Sequence, residues 1–389
     1  MDFDLTDEQQ AIAEVAAKLL GDKATPEAIR AIEDRDDGDD TGDGGDGGDQ
    51  RFDRALWAAM ADGGLLGLAV PADQGGAGLG VLELCLVLEE VGRRTAPVPA
   101  LAALACGGLP VARFGSPEQQ AALLPGLAAG RSVLTAALVE PLADPLHPAT
   151  TARPESDGGW VLDGTKTNVA AGLVANAILV PATTPDGATG VFVVAADAAG
   201  LTRDRQDTTT GTPEAQLALA GVRIGADGAL GPVDAAGAVL RWTVEHATVA
   251  ACAVMSGVAA EAVRITGEYT VSREQFGRPI ATFQAVGQRA ADAYVDAQAI
   301  RLTMLQAAWR LAAGFPADRE VAIAKYWAAT GGQRVVHAAQ HLHGGMGVDR
   351  DYPLHRYFLL AKQLELTLGG ATRQLANLGR MLADQGATR

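Results

Sequence analysis

The chain has 389 residues, 48% of them hydrophobic, and a formal net charge of −16. That length and apolar content predict an ordered protein of two or three packed units, and the acidity excludes a broad nucleic-acid or anionic-membrane surface while leaving room for a local arginine cluster to hold a phosphate. Cys85, Cys106 and Cys252 are odd in number, far apart and set in apolar surroundings, which excludes a disulfide framework and predicts buried thiols in a reducing cytoplasm.

The start, MDFDLTDEQQ, is acidic and helical in character, with neither a basic opening nor an apolar signal core. No uninterrupted apolar run approaches the ~20 residues of a membrane-spanning helix, so a soluble cytoplasmic protein is expected. Residues 1–125 are Ala- and Leu-rich with helical periodicity. In VLELCLVLEEVGRR, Leu82, Cys85, Leu86 and Leu88 form an apolar stripe. This helical domain is interrupted by Asp34–Gln50, a run of Asp and Gly with no apolar residue to bury. The run lacks the terminal Glu of an EF-hand loop, so a solvated, disordered loop is predicted rather than a calcium site.

Residues 126–234 change texture to short β-rich runs such as GWVLDGTKTNV, NAILVPATT, TGVFVVAA and AQLALAGVRI. Pro185, Asp186 and Gly187 give a turn between two of them. Residues 235–389 return to long Ala-rich segments, with helices predicted over 244–271, 283–313 and 318–341. Helices, then strands, then helices is an α+β order, without the alternating βαβ units of a Rossmann fold. The last third is expected to be an antiparallel helical bundle.

Arg273 stands at the predicted end of a helix, ahead of Phe276 and Gly277. A guanidinium there can donate a forked pair of hydrogen bonds to a diphosphate, or simply pair with Glu274 or solvent. Gly344, Gly345 and Gly347 bracket Met346 after an Ala-rich helix. They permit close backbone approach to an anionic cofactor, or form an ordinary helix C-cap. His341 and His343 point in different directions at this spacing and have no third ligand nearby, so no metal site is predicted.

Taken together, SREQFGRPIATFQ, HGGMG, the D-x-D-x-P-L-H-R-Y-F stretch and AK resemble the acyl-CoA dehydrogenase family over nearly the whole chain. The resemblance implies FAD as cofactor and α,β-dehydrogenation of an acyl-CoA. In that reaction a carboxylate removes the α-proton while hydride leaves the β-carbon for the flavin. It also implies cofactor-binding roles for Arg273, Phe276, Gln284, His341, Gly344 and Gly345, which in the family reach across a subunit interface. An electron-transfer flavoprotein is the acceptor that the resemblance implies.

Departures from the family pattern agree with one another. Leu368, ahead of Gly369, occupies the usual position of the glutamate base, and Ala247 the alternative position on the first long C-terminal helix. Glu245 would point to another helix face, and Glu365 is expected to be structural. The family's T-E-P-x-x-G-S-D cradle reads Val139-Glu140-Pro141 followed by LADPLHP, and its ring-side Trp-x-Thr reads Asn168-Val169-Ala170. The expectation is therefore a subunit without a catalytic residue of its own, resembling the base-less subunits of actinobacterial heterotetrameric enzymes that oxidise sterol-like CoA thioesters. A homologous partner would supply the base. The alternatives are a homomeric enzyme with Glu245 or Glu365 as a relocated base, and a non-catalytic scaffold.

Overall fold

A computed structural model describes residues 3–36, 51–234 and 237–387. Helix α1 (Asp7–Lys23) opens on a capping box, in which the Thr6 hydroxyl accepts from Gln9 N and the Gln9 side chain accepts from Thr6 N. Helix α2 (Pro26–Asp36) runs into the acidic stretch, so Asp34–Asp36 are helical, with Asp34 paired to Arg30 at 2.8 Å. The rest of that stretch, 37–50, lies outside the described residues. Asp53 caps α3 (Arg54–Asp62), and α4 covers Val81–Arg94. A π-helical segment, Leu101–Gly108, runs into α5 (Leu109–Phe114). A second capping box, Ser116 with Gln119, starts α6 (Pro117–Ala128). In α4 the buried residues run from Leu84 through Val91 without interruption, while Leu82 is only half-buried. The helix is enclosed nearly all round, so its apolar residues do not form the single stripe that periodicity suggested.

Seven strands follow: β1 (Leu134–Ala136), β2 (Thr151–Pro154), β3 (Trp160–Val169), β4 (Ala177–Thr183), β5 (Thr189–Ala195), β6 (Leu201–Gln206) and β7 (Glu214–Ile224). They form one sheet in the order β1-β4-β2-β3-β7-β6, with β5 antiparallel to β4. Pro185–Gly187 makes the β4–β5 hairpin turn, with Gly187 at φ 84° and its N–H donating to Thr184 O. Leu162, Ile178, Val180, Phe192, Val194 and Leu217 are fully enclosed in the core of the sheet.

The last third is helical: α7 (Ala238–Ser272), a short hairpin of β8 (Glu274–Gln275) and β9 (Arg278–Pro279), α8 (Gln284–Ala312), α9 (Asp318–His343), α10 (Leu354–Leu366) and α11 (Ala371–Ala387). The protein therefore has an α+β fold. The best 18-residue window of α7 has a mean hydropathy of 1.5, apolar enough to cross a membrane, but 83% of it is buried within the protein, as in a core helix. Two compact units emerge, one comprising Met1–Pro26, Cys85–Ala96 and Thr248–Arg389, the other Glu27–Leu84 and Pro97–Ala247. Within the first, α4 and α7 cross at contact distance through two glycines. A Cβ on Gly257 would collide with Glu89 O, and one on Gly92 with Val254 O. Beside this crossing, buried Glu89 accepts from Ser256 Oγ at 2.7 Å and from Arg301 Nε at 3.0 Å.

Candidate functional site

Helix α7 ends in a tight hairpin. Arg273 N still donates to Tyr269 O, and Ile280 N returns to Arg273 O, each at 2.8 Å. Between β8 and β9, Phe276 (φ 55°) and Gly277 (φ 76°) both take left-handed backbone, the requirement of a type I′ turn. Glycine meets it without strain. A phenylalanine there does so at a cost, and its ring is 93% exposed. It contacts Phe283 edge-on at 6.1 Å, and the Arg278 guanidinium lies over the Phe283 ring at 4.2 Å. Arg273 is exposed and makes no side-chain hydrogen bond or ion pair with the described residues, so the pairing with Glu274 is not formed. Gln284, the first residue of α8, is likewise exposed and unengaged among them.

The end of α9 meets the end of α7. Tyr269, one turn before Arg273, stacks on His343 with centroids 4.2 Å apart, and its hydroxyl donates to His343 O at 3.4 Å. Arg273 and the glycine turn are thereby brought to one end of the helical bundle. His341 is exposed whereas His343 is buried, as their spacing implied. Gly344 has φ 61° and ψ −136°, a conformation essentially reserved for glycine. Gly345 is exposed in ordinary backbone, with no atom near where a Cβ would stand. Among the described residues no three His, Cys, Asp or Glu side chains gather as a metal site.

Leu368 follows α10 with φ 56° and precedes Gly369 at φ 96°. The turn is held from below by Lys325, 1% exposed, whose ammonium donates to Leu364 O at 2.5 Å and to Glu365 O at 3.4 Å. Burial pushes this lysine below its usual range, against the pull of Cys252 and Glu365. The Glu365 carboxylate is tied to Lys362 at 2.6 Å. Ala247 is fully buried, and Glu245 is half-buried and engaged by neighbouring groups.

In the other unit, Glu140 turns its carboxylate inward. It accepts from Ala149 N at 2.5 Å, Thr150 N at 3.1 Å and Lys166 Nζ at 2.5 Å, while Lys166 also donates to Pro181 O at 2.7 Å. Burial pushes the Glu140 carboxyl up, but Lys166 and Thr150 together outweigh it and hold the group below its ordinary range. Burial lowers the Lys166 ammonium to about 8 despite Glu140. The loop between Glu140 and Ala149 projects, with Leu142 fully exposed at φ 61°. At the end of β3, Asn168 N donates to the Gln206 side chain at 2.6 Å, and Ala170 O accepts from the Thr135 hydroxyl at 2.6 Å. Burial raises the neighbouring Glu214 carboxyl, partly offset by Thr212 and Asn168.

Residues 6–131 match the acyl-CoA dehydrogenase N-terminal domain, and residues 237–383 the C-terminal domain. The acyl-CoA dehydrogenase FadE27 of Mycobacterium tuberculosis is 41% identical over 393 residues, covering 99% of each chain. The chain belongs to the acyl-CoA dehydrogenase family. A chain of the ChsE4–ChsE5 complex from Mycobacterium tuberculosis superposes with a TM-score of 0.89 at 41% identity, over 98% of this chain and 99% of that one. A chain of a variant of the Tcur3481–Tcur3483 steroid ACAD gives 0.88 at 43% identity, with the same coverage. Family membership makes this protein a flavin-dependent oxidoreductase, as its motifs implied.

Within the acyl-CoA dehydrogenase frame, Tyr269, Tyr352 and Lys325 were not singled out by sequence reasoning, and His343 was weighed only as a metal ligand. The burial of His343 and Lys325 depends in part on segments distant in the chain, Tyr269 for the first and the Leu364–Glu365 carbonyls for the second. The one local signal was the aromatic character of Tyr352, nine residues after His343.

Proposed function

We propose that this chain is the FAD-gripping subunit of a heteromeric acyl-CoA dehydrogenase, with the catalytic base on a homologous partner and a bulky, steroid-like acyl-CoA as substrate. The observation that carries this reading is Leu368, a hydrocarbon side chain at the strained turn where family members hold their carboxylate. Neither alternative glutamate is well placed to substitute, because Glu365 is bound to Lys362 and Glu245 is engaged elsewhere. The ChsE4–ChsE5 structure is a complex of two named chains, and the Tcur3481–Tcur3483 protein is named a steroid ACAD, which supports both the heteromer and the substrate class.

The residues fit FAD by the chemistry of their donors. Arg273 offers a diphosphate a guanidinium without a partner among the described residues, Gln284 offers a primary amide, and Gly344 and Gly345 leave their backbone open to close approach. Phe276 and His341 add an exposed ring each beside them. Bound FAD supplies the hydride acceptor for the acyl-CoA. This chain's part is to hold the cofactor's anionic portion. Its own cradle is turned inward: Glu140 serves Lys166 and two backbone amides, and Asn168 N serves Gln206. That supports an isoalloxazine seated on the partner; the electron-transfer flavoprotein acceptor rests on the family resemblance alone, and a cytoplasmic setting on the three free thiols, Cys85, Cys106 and Cys252.

The test is purification of the chain alone and with a co-expressed homologous partner from a neighbouring gene, read by flavin absorbance and acyl-CoA turnover. The single chain is expected to be colourless or weakly flavinylated and inactive, and the pair yellow and active. Robust oxidation by the single chain would overturn the proposal in favour of a homomeric enzyme. Flavin content and turnover owed wholly to the partner would favour the scaffold.

A further inference from the structure

Beneath the glycine turn, His343 is 4% exposed and bound on three sides. Its Nδ1 lies 2.7 Å from Ala339 O, a group that only accepts, so Nδ1 carries the proton. Nε2 is then an acceptor, 3.2 Å from the Tyr352 hydroxyl, which donates to it. The ring face stacks on Tyr269, whose hydroxyl donates to the His343 carbonyl. One imidazole thus ties together three segments: the last turn of α9, the chain after the glycine turn, and the end of α7 that leads into Arg273.

We propose that His343, as the neutral Nδ1–H tautomer, is the positioning residue of the Gly344–Gly345 turn, fixing the shape in which this chain meets the cofactor's diphosphate. The inference rests on the reading that this turn serves FAD. It adds a dependence on protonation. A proton on Nε2 turns an acceptor into a donor facing the Tyr352 hydroxyl, which must rotate and surrender its own donation. The groups around the ring are Tyr269 and Tyr352, with Glu268 and Arg264 acting on the Tyr352 hydroxyl. None is a carboxylate bonded to the imidazole, and burial depresses its proton affinity. The sign follows: a disordered turn takes up the proton at the ordinary value of 6.5, the ordered one only below it. The clamp is therefore intact above that pH and weakens as pH falls through it.

The experiment is reconstitution of the flavin-stripped complex with FAD, followed by flavin fluorescence between about pH 5.5 and 8, with nitrogen NMR of His343 in the full chain. The expected results are an Nδ1–H tautomer and an FAD dissociation constant that rises on acidification. His343→Phe, which keeps the stack, and Tyr352→Phe, which removes one hydroxyl, should each weaken FAD about 2- to 10-fold, the equivalent of one neutral hydrogen bond. His343→Phe should also flatten the pH dependence. If His343→Phe does not fold, Tyr352→Phe and the tautomer decide. An Nε2–H tautomer would overturn the inference. So would wild-type affinity in Tyr352→Phe and His343→Phe while Arg273→Ala binds weakly. If Arg273→Ala also binds FAD normally, the functional reading and this inference fall together.

Discussion

At the scale of single residues, the chain spends backbone strain where its functional surface is expected. Leu368 holds φ 56° and Phe276 φ 55°, conformations that cost an L-residue roughly 1–2 kcal/mol. Replacing Leu368 by glycine removes that strain, against an entropic cost of about 0.5–1 kcal/mol. The net expectation for Leu368→Gly is an added stability of between about 0 and 1.5 kcal/mol in urea unfolding of the full chain. A loss of stability would mean that the leucine side chain contributes packing that outweighs its backbone. Arg273 has no side-chain partner to lose among the described residues. Its change to alanine should leave the melting temperature of the flavin-stripped complex unmoved while reducing FAD affinity by roughly 1.5–3 kcal/mol, the range for a charge-assisted contact. An unchanged affinity would remove Arg273 from the site.

At the scale of elements, two buried charges make separate predictions. Lys166→Met strands Glu140 without its cation in the sheet and should cost roughly 3–5 kcal/mol, seen as a lowered unfolding midpoint. A small change would show that water reaches the carboxylate. His246 lies against Trp242 at 3.6 Å, with Nδ1 donating to Trp242 O at 2.8 Å. Burial, then Arg113, depress it to about 4, against the Trp242 hydrogen bond. The unfolded imidazole binds its proton first, so stability is full above 6.5 and declines as pH falls towards 4, by about 3 kcal/mol in all. Melting of the wild type and of His246→Phe at several pH values should show that slope only in the former. The long helices were legible in the sequence because Ala-rich runs of that length have no other compact fate, as the 318–341 segment shows in α9. The β-runs rich in Val, Leu and Ile were legible for the same kind of reason. Strand β6, LTRDRQ, was not, since its charged side chains carry no apolar alternation and its pairing is fixed by β7. The three-residue β1 is equally silent alone. At the candidate site, the resemblance singled out Arg273 and the glycines, and the fold places them at one end of the helical bundle. The surroundings of His343 and Lys325 were not legible, because the stack on Tyr269 and the carbonyls of Leu364 and Glu365 come from distant parts of the chain.

At the scale of the whole molecule, the exposed apolar surface supports an assembled enzyme. Val295, Leu302 and Trp309 recur at seven-residue spacing along α8, exposed by 62%, 44% and 37%. Leu375 and Leu382 repeat the spacing on α11. Stripes of this kind on helices are the sort of surface a partner subunit covers. Leu302→Glu should therefore abolish co-purification with the homologous partner while the chain alone melts as before; retained assembly would move the interface elsewhere. A different consequence follows from Glu140, whose carboxylate fastens the amides at the far end of its loop, while Lys166 anchors it to the sheet. With both ends of the loop secured by one side chain, and Pro148 O held by the Thr183 hydroxyl, only the exposed tip at Pro141 and Leu142 is left free of contacts that the fold depends on. After a gene duplication, one copy can shed the residues that once served a ligand there, and the other can keep them, without either copy having to be rebuilt. On the proposed division of labour between two subunits, the tip of this loop is one place, along with Leu368 and Asn168–Ala170, where a function can be given up without disturbing the fold.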